Sequence, residues 1–112
     1  IAAGMDRLVK KAMDTECWGG RKPNILVISP PAILDGVENG PLRGTMGIGS
    51  VEKSRQLAAE YRLICEARGV HFLDADAIGC EFNKVDFMHL TRKGHSTLAT
   101  ALAKLVPDLL NQ

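Results

Sequence analysis

The chain has 112 residues, of which 46% are hydrophobic and 24% are charged, with a formal net charge of +1. This balance is typical of one globular domain with a modest core, and it gives no electrostatic reason to expect nucleic acid or an anionic membrane as a partner. No apolar run approaches the roughly 20 residues needed to cross a bilayer.

The first segment predicts a helix. Ile1–Gly4 has neither the basic nor the apolar region of a leader peptide, so the chain is expected to begin inside a fold. Apolar residues at positions 5, 8, 9, 12 and 13 have helical spacing. Trp18 is expected to continue this apolar side, and Gly19-Gly20 to end the helix.

A buried strand and a long loop follow. The unbroken apolar run Ile25–Ile28 is typical of a strand buried on both faces of a parallel sheet, and Pro30 and Pro31 end it. Residues 30–50 contain five glycines and are predicted to be irregular. Because this loop leaves the carboxyl end of a parallel strand, we expect it to shape a ligand pocket.

The second half alternates helix, strand and helix. Ser50 is the expected N-cap of a helix over 51–68, which Gly69 ends, and Val70–Asp74 is the next strand. After a loop, a helix is predicted over 91–111, with Pro107 kinking or shortening its last turn. Two parallel strands are too few for a stable sheet, so other strands or self-association are expected to complete it.

Asp86 and His89 lie three residues apart just before the last helix. A carboxylate on such a turn can orient an imidazole ring, which can then act as a base. The spacing alone is weak evidence, since a solvated loop or a capping Asp gives the same pattern. Metal binding by histidines and aspartates is an alternative from the same residues; the candidates are His71, His89 and His95 with Asp74, Asp76 or Asp86.

The surrounding pattern is more specific: Asp-x-x-His-Leu-Thr-x-x-Gly-His, then an apolar helix. It resembles the last block of the SGNH (GDSL-type) esterases and acyltransferases. The preceding Val-Ile-Ser-Pro-Pro, the helix containing Ala58 to Tyr61, and Phe72-Leu73-Asp74 extend the similarity over almost the whole chain. Pro30-Pro31 and the loop after them are most similar to the arylesterase and acyltransferase branch.

The resemblance implies a three-layer α/β/α flavodoxin-like fold with a parallel sheet, of which residues 1–112 form the carboxyl-terminal part. It implies acyl transfer from small or short-chain esters through an acyl-serine, with Asp86 and His89 as the catalytic pair and no cofactor. The Gly-Asp-Ser block with the nucleophile is absent, and so are the blocks with the oxyanion-hole Gly and Asn. The chain alone is therefore expected to be inactive, completed by an amino-terminal half or by forming a homo-oligomer.

Substrate contacts are expected from four residues: Pro30, Pro31, Phe87 and Met88. The family often has Gly-Val or Gly-Ile between its Asp and His, so Phe87-Met88 is a departure that is expected to alter the pocket. A catalytically incomplete fragment or a non-enzymatic binding module of the same fold stays open as an alternative.

Other patterns are weaker. Pro30 lacks the N–H that an oxyanion donor after Ser29 would need, and the remaining serines are explained by caps and helix surfaces (Ser50, Ser54, Ser96). Gly44-x-x-x-x-Gly49-Ser50 lacks the strand and lysine of a phosphate loop. Cys17, Cys65 and Cys80 have no Cys-x-x-Cys spacing, which predicts buried free thiols and favours a reducing, cytoplasmic location.

Overall fold

Two parallel strands form the sheet at the centre of the structure, a computed structural model that describes all 112 residues. β1 spans Leu26–Ser29 and β2 spans His71–Asp74, and their residues pair in order from one end to the other. Helix α3, Ser50–Arg68, lies between them in sequence. The predicted parallel β-α-β arrangement is confirmed, and both strands end at the same edge of the sheet.

The hydrophobic core lies between this sheet and two helices. Helix α1 spans Ala2–Met13 and packs against α3. Val9 of α1, Val27 of β1, and Tyr61 and Cys65 of α3 form the buried cluster. These positions follow the helical and strand periodicities of the sequence, so burial of their apolar area is what holds α1 on the sheet.

Helix α1 ends earlier than predicted, at Met13 rather than at Gly19-Gly20. The indole N–H of Trp18 donates to the Ala12 carbonyl at 3.0 Å, and the Thr15 hydroxyl donates to the Lys11 carbonyl at 2.8 Å. These two side chains thus donate to carbonyls of the last turn of α1. In a longer helix, the same carbonyls would accept backbone N–H groups instead.

The segment between β1 and α3 is more regular than predicted. It contains a 3₁₀ turn, Asp35–Glu38, and a one-turn helix α2, Arg43–Met46. The expected Ser50 cap is wrong, because the Ser50 hydroxyl donates to the Gly47 carbonyl. A Glu38 carboxylate oxygen instead accepts the N–H groups of Gly49 and Val51, at 2.9 and 3.3 Å, at the start of α3.

Helix α4 spans Arg92–Leu110, and its predicted start is confirmed: the Thr91 hydroxyl accepts the Gly94 N–H at 2.9 Å. Gly94 is buried because the backbone of Glu81 passes close to it, and a Cβ on Gly94 would lie 2.7 Å from the Glu81 carbonyl oxygen. Pro107 lies inside α4 and does not shorten it. None of the helices combines the length and the apolar character needed to span a membrane.

Candidate functional site

The turn over residues 83–89 carries the predicted Asp–His pair. It is closed at its base by an antiparallel bridge between Phe82 and Leu90, and the Asn83 N–H donates to the His89 carbonyl at 2.7 Å. The turn is also joined to the segment after β1, because the Leu34 N–H donates to the Phe87 carbonyl at 3.1 Å. The fold therefore brings this turn beside the carboxyl end of the sheet.

Asp86 and His89 form a direct side-chain contact, with 2.8 Å between Asp86 Oδ2 and His89 Nδ1. The other carboxylate oxygen, Oδ1, accepts the backbone N–H groups of Met88 and His89, each at 3.1 Å. The hydrogen bond from the Met88 N–H, aided by those from the His89 side chain and backbone, lowers the pKa of Asp86 from its ordinary value to about 2.

This geometry fixes the tautomer of the neutral ring. An ionised carboxylate can only accept, so in the neutral imidazole His89 Nδ1 carries the hydrogen and Nε2 has a free lone pair. The His89 side chain is 74% exposed and that of Asp86 is 34% exposed. The arrangement can therefore take a proton from a group that approaches Nε2, with the carboxylate stabilising the resulting imidazolium.

Asn83 is a residue of this turn that the sequence reasoning missed. Its Oδ1 accepts the N–H groups of Val85 and Asp86 at 2.8 and 3.0 Å, and its Nδ2 donates to the His89 carbonyl at 3.0 Å. One side chain thus bonds the backbone of both Asp86 and His89. Asn commonly forms turns by accepting a backbone N–H two residues further on, as Asn83 does from Val85, and this preference could have marked the position.

An apolar cleft of about 400 Å³ adjoins the turn. Three of the four expected substrate contacts, Pro30, Pro31 and Met88, line it, whereas Phe87 does not. The ring of Phe87 packs against Gly36 and Gly40 instead, and its contact with substrate stays a prediction. The remaining lining residues come from the segment between β1 and α3 (Ile33, Met46, Ile48), from α3 itself (Ser50, Lys53, Ser54, Leu57), and from positions 1 and 82 (Ile1, Phe82).

None of the serine hydroxyls is hydrogen-bonded to His89, whose ring pairs with Asp86. Ser29 is fully buried, and its hydroxyl has no hydrogen-bond partner. Ser54 is not the surface residue that was expected, since its hydroxyl accepts the Ile33 N–H and donates to the Val51 carbonyl, both at 2.9 Å.

The alternative sites find no geometric support. His95 is exposed at the start of α4, where Thr91 supplies the cap. No group of three His, Cys, Asp or Glu side chains is placed to hold a metal ion. Gly44 lies in α2, so residues 44–49 do not form a loop between a strand and a helix. All three cysteines are free thiols, but only two are buried as expected, because Cys17 is exposed. Burial raises the pKa of Cys65 and of Cys80.

Solved structures similar to this chain include esterases. An aryl esterase from M. smegmatis has a TM-score of 0.82 at 29% identity, over 97% of this chain and 51% of the esterase chain. A carbohydrate acetylesterase from Sinorhizobium meliloti has a TM-score of 0.78 at 30% identity, over 97% of this chain and 51% of that chain. A carbohydrate acetylesterase family member from the same organism, at 24% identity, has a TM-score of 0.82 over 99% of this chain and 52% of that chain.

Comparison with protein-family models gives no match, and comparison with curated proteins gives none either. The fold and the structural neighbours nevertheless define the class: the chain is built like part of an α/β esterase. More narrowly, the predicted resemblance to the SGNH hydrolases is confirmed, since the chain has the fold of that family's carbohydrate acetylesterases and aryl esterases. It spans about half the length of each structure it matches.

Proposed function

We propose that this chain is the carboxyl-terminal part of a serine esterase or acyltransferase of the SGNH type that acts on small or short-chain esters. The observation that carries the proposal is the 2.8 Å contact between Asp86 and His89 on the turn before α4. The esterase structures that share the fold support the class of reaction.

In the proposed reaction, His89 Nε2 takes the proton from a serine hydroxyl as the serine oxygen bonds to the ester carbonyl carbon. The same proton then passes to the leaving alkoxide as the ester C–O bond breaks, which leaves an acyl-serine. His89 then takes a proton from water or an alcohol as the oxygen of that molecule bonds to the acyl carbon. The proton passes to the serine oxygen as the acyl–serine C–O bond breaks, which releases the acyl group and restores the serine. Asp86 holds the ring in the reactive tautomer and stabilises the imidazolium in both halves.

The serine and the oxyanion-hole donors are proposed to lie outside these 112 residues, in an amino-terminal half that also completes the sheet. The cleft beside Met88 is proposed to receive the acyl or alcohol part of the ester, because it is mainly apolar and adjoins the turn that carries His89.

A second candidate is a non-catalytic binding or assembly module of the same fold, which self-associates through the sheet. Burial of Ser29 favours it, because this serine at the carboxyl end of β1 is not accessible to a substrate. In a two-stranded sheet each strand keeps one unpaired edge, and such edges readily pair with another chain.

Hydrolysis of p-nitrophenyl acetate by the full-length gene product distinguishes the esterase from the non-catalytic module. His89→Ala should lower kcat/KM by about a thousandfold or more, because the loss of the base leaves only binding and the oxyanion hole. His95→Ala is the matched control, since it removes an exposed histidine six residues away and should retain the wild-type rate. Near-normal turnover by His89→Ala would overturn the proposal, and an inactive wild-type protein would favour the module.

A further inference from the structure

Phe87 has a backbone conformation that side-chain-bearing residues rarely adopt. Its φ is 65°, and it is the one residue other than glycine in the chain with a positive φ. For a bulky residue this is an outlier, and it persists only where the surrounding structure compensates for the strain. The packing of the Phe87 ring supplies the compensation.

The ring lies between two glycines of the segment that follows β1. A Cβ on Gly36 would come within 2.6 Å of three ring carbons, Cδ1, Cε1 and Cζ. On the other edge of the ring, a Cβ on Gly40 would lie 3.3 Å from Cε2 and 3.7 Å from Cδ2. Only a residue without a side chain at position 36 leaves room for the ring in this place.

A backbone hydrogen bond of the same residue also joins the two walls of the apolar cleft. The Leu34 N–H donates to the Phe87 carbonyl, which holds the start of the 3₁₀ turn against the Asp–His turn. The neighbouring residues on each side, Ile33 and Met88, line the cleft. Phe87 therefore contacts the other wall twice, through its carbonyl at Leu34 and through its ring at Gly36 and Gly40.

We infer that Phe87 is a positioning residue that sets the ester-size selectivity of the site, by locking residues 34–40 onto the turn that carries Asp86 and His89. The inference rests on the proposed function. The ring does not touch the reacting atoms; it fixes the width of the cleft beside them. When the lock is released, the cleft can widen while the Asp86–His89 contact remains.

Two substitutions break this lock from opposite sides in the full-length protein. Phe87→Gly removes the ring and suits the positive φ, and Gly36→Ala places a methyl group where the ring lies. Gly44→Ala is the matched control, because a Cβ there has no atom within 4 Å. The kcat/KM ratio of p-nitrophenyl acetate to p-nitrophenyl octanoate should shift about tenfold in each lock variant, with a smaller change in kcat for acetate.

The double variant adds a test of mechanism. Once the ring is absent, the methyl group introduced at position 36 has nothing to displace, so Phe87→Gly with Gly36→Ala should equal Phe87→Gly alone. An unchanged ester ratio in Phe87→Gly or Gly36→Ala, or additive effects in the double variant, would overturn the inference.

Hydrogen exchange gives a readout that does not depend on catalysis. The amides of residues 34–40 should exchange faster in Phe87→Gly and Gly36→Ala than in the wild-type protein, and at the wild-type rate in Gly44→Ala. Wild-type exchange in both lock variants would contradict the inference. Failure of the proposed function is recognised separately, by an active His89→Ala variant, and leaves the exchange result unaffected.

Discussion

Replacing Asp86 by Asn tests the role of its carboxylate while preserving the turn. The Asn carbonyl oxygen can accept the two backbone N–H groups that now bond Asp86 Oδ1, so the local fold should survive. The amide group then faces His89 Nδ1, where Oδ2 now lies at 2.8 Å. Since an amide N–H donates, Nδ1 must become the acceptor, and Nε2 then carries the hydrogen and cannot act as a base.

The expected loss in kcat is about 10⁴-fold, which is the typical cost of holding a catalytic histidine in the wrong tautomer. The assay is hydrolysis of p-nitrophenyl acetate by the full-length protein at neutral pH, with the thermal midpoint measured alongside it. Asp108→Asn, which changes an exposed carboxylate on α4, is the matched control and should change neither quantity. An Asp86→Asn variant with more than about a tenth of the wild-type kcat would refute this reasoning.

Three further predictions concern stability in the full-length protein, measured by chemical denaturation. The pKa of Asp86 in the folded protein is lowered to about 2, so Asp86 contributes stability that is present above about pH 4 and lost as the pH falls toward 2. Asp86→Asn removes this contribution, and the free energy of unfolding of the variant should therefore decrease less over this pH range. Asn83→Ala removes three side-chain hydrogen bonds and should cost about 1.5–3 kcal/mol. Gly94→Ala should destabilise by about 1–2 kcal/mol despite its better helix propensity, since its Cβ would meet the Glu81 carbonyl.

Matched variants separate these effects from general damage. Gly4→Ala, at an open position of α1, should stabilise by about 0.5–1 kcal/mol, in contrast to Gly94→Ala. Asn83→Asp keeps both acceptor contacts and should recover part of the loss seen in Asn83→Ala. Equal acid profiles for Asp86→Asn and wild type, or a stabilising Gly94→Ala, would contradict the contacts assigned to those residues.

The strands and long helices could be predicted because their signals are local. An apolar run bounded by prolines gives β1, Gly69 ends α3 with a positive φ of 66°, and Thr91 caps α4. The proximity of Asp86 and His89 also followed from their spacing, since both lie on one short turn. Each of these features is determined by residues that are close to one another in the sequence.

Features that depend on distant pairs could not be predicted. The cap of α3 comes from Glu38, whose partners are 11 and 13 residues away, while the nearby Ser50 gave a misleading local signal. The positive φ of Phe87 has no sequence signal, because it is permitted by the space at Gly36, about 50 residues earlier in the chain.

The central claim is that Asp86 and His89 serve a serine supplied from outside these 112 residues. Its most direct test is treatment of the full-length protein with a fluorophosphonate, followed by intact mass spectrometry and peptide mapping of the adduct. We expect one adduct per protein, on a serine beyond residues 1–112, which forms far more slowly in His89→Ala. An adduct on Ser29, Ser50, Ser54 or Ser96, or no adduct on the wild-type protein, would contradict the account.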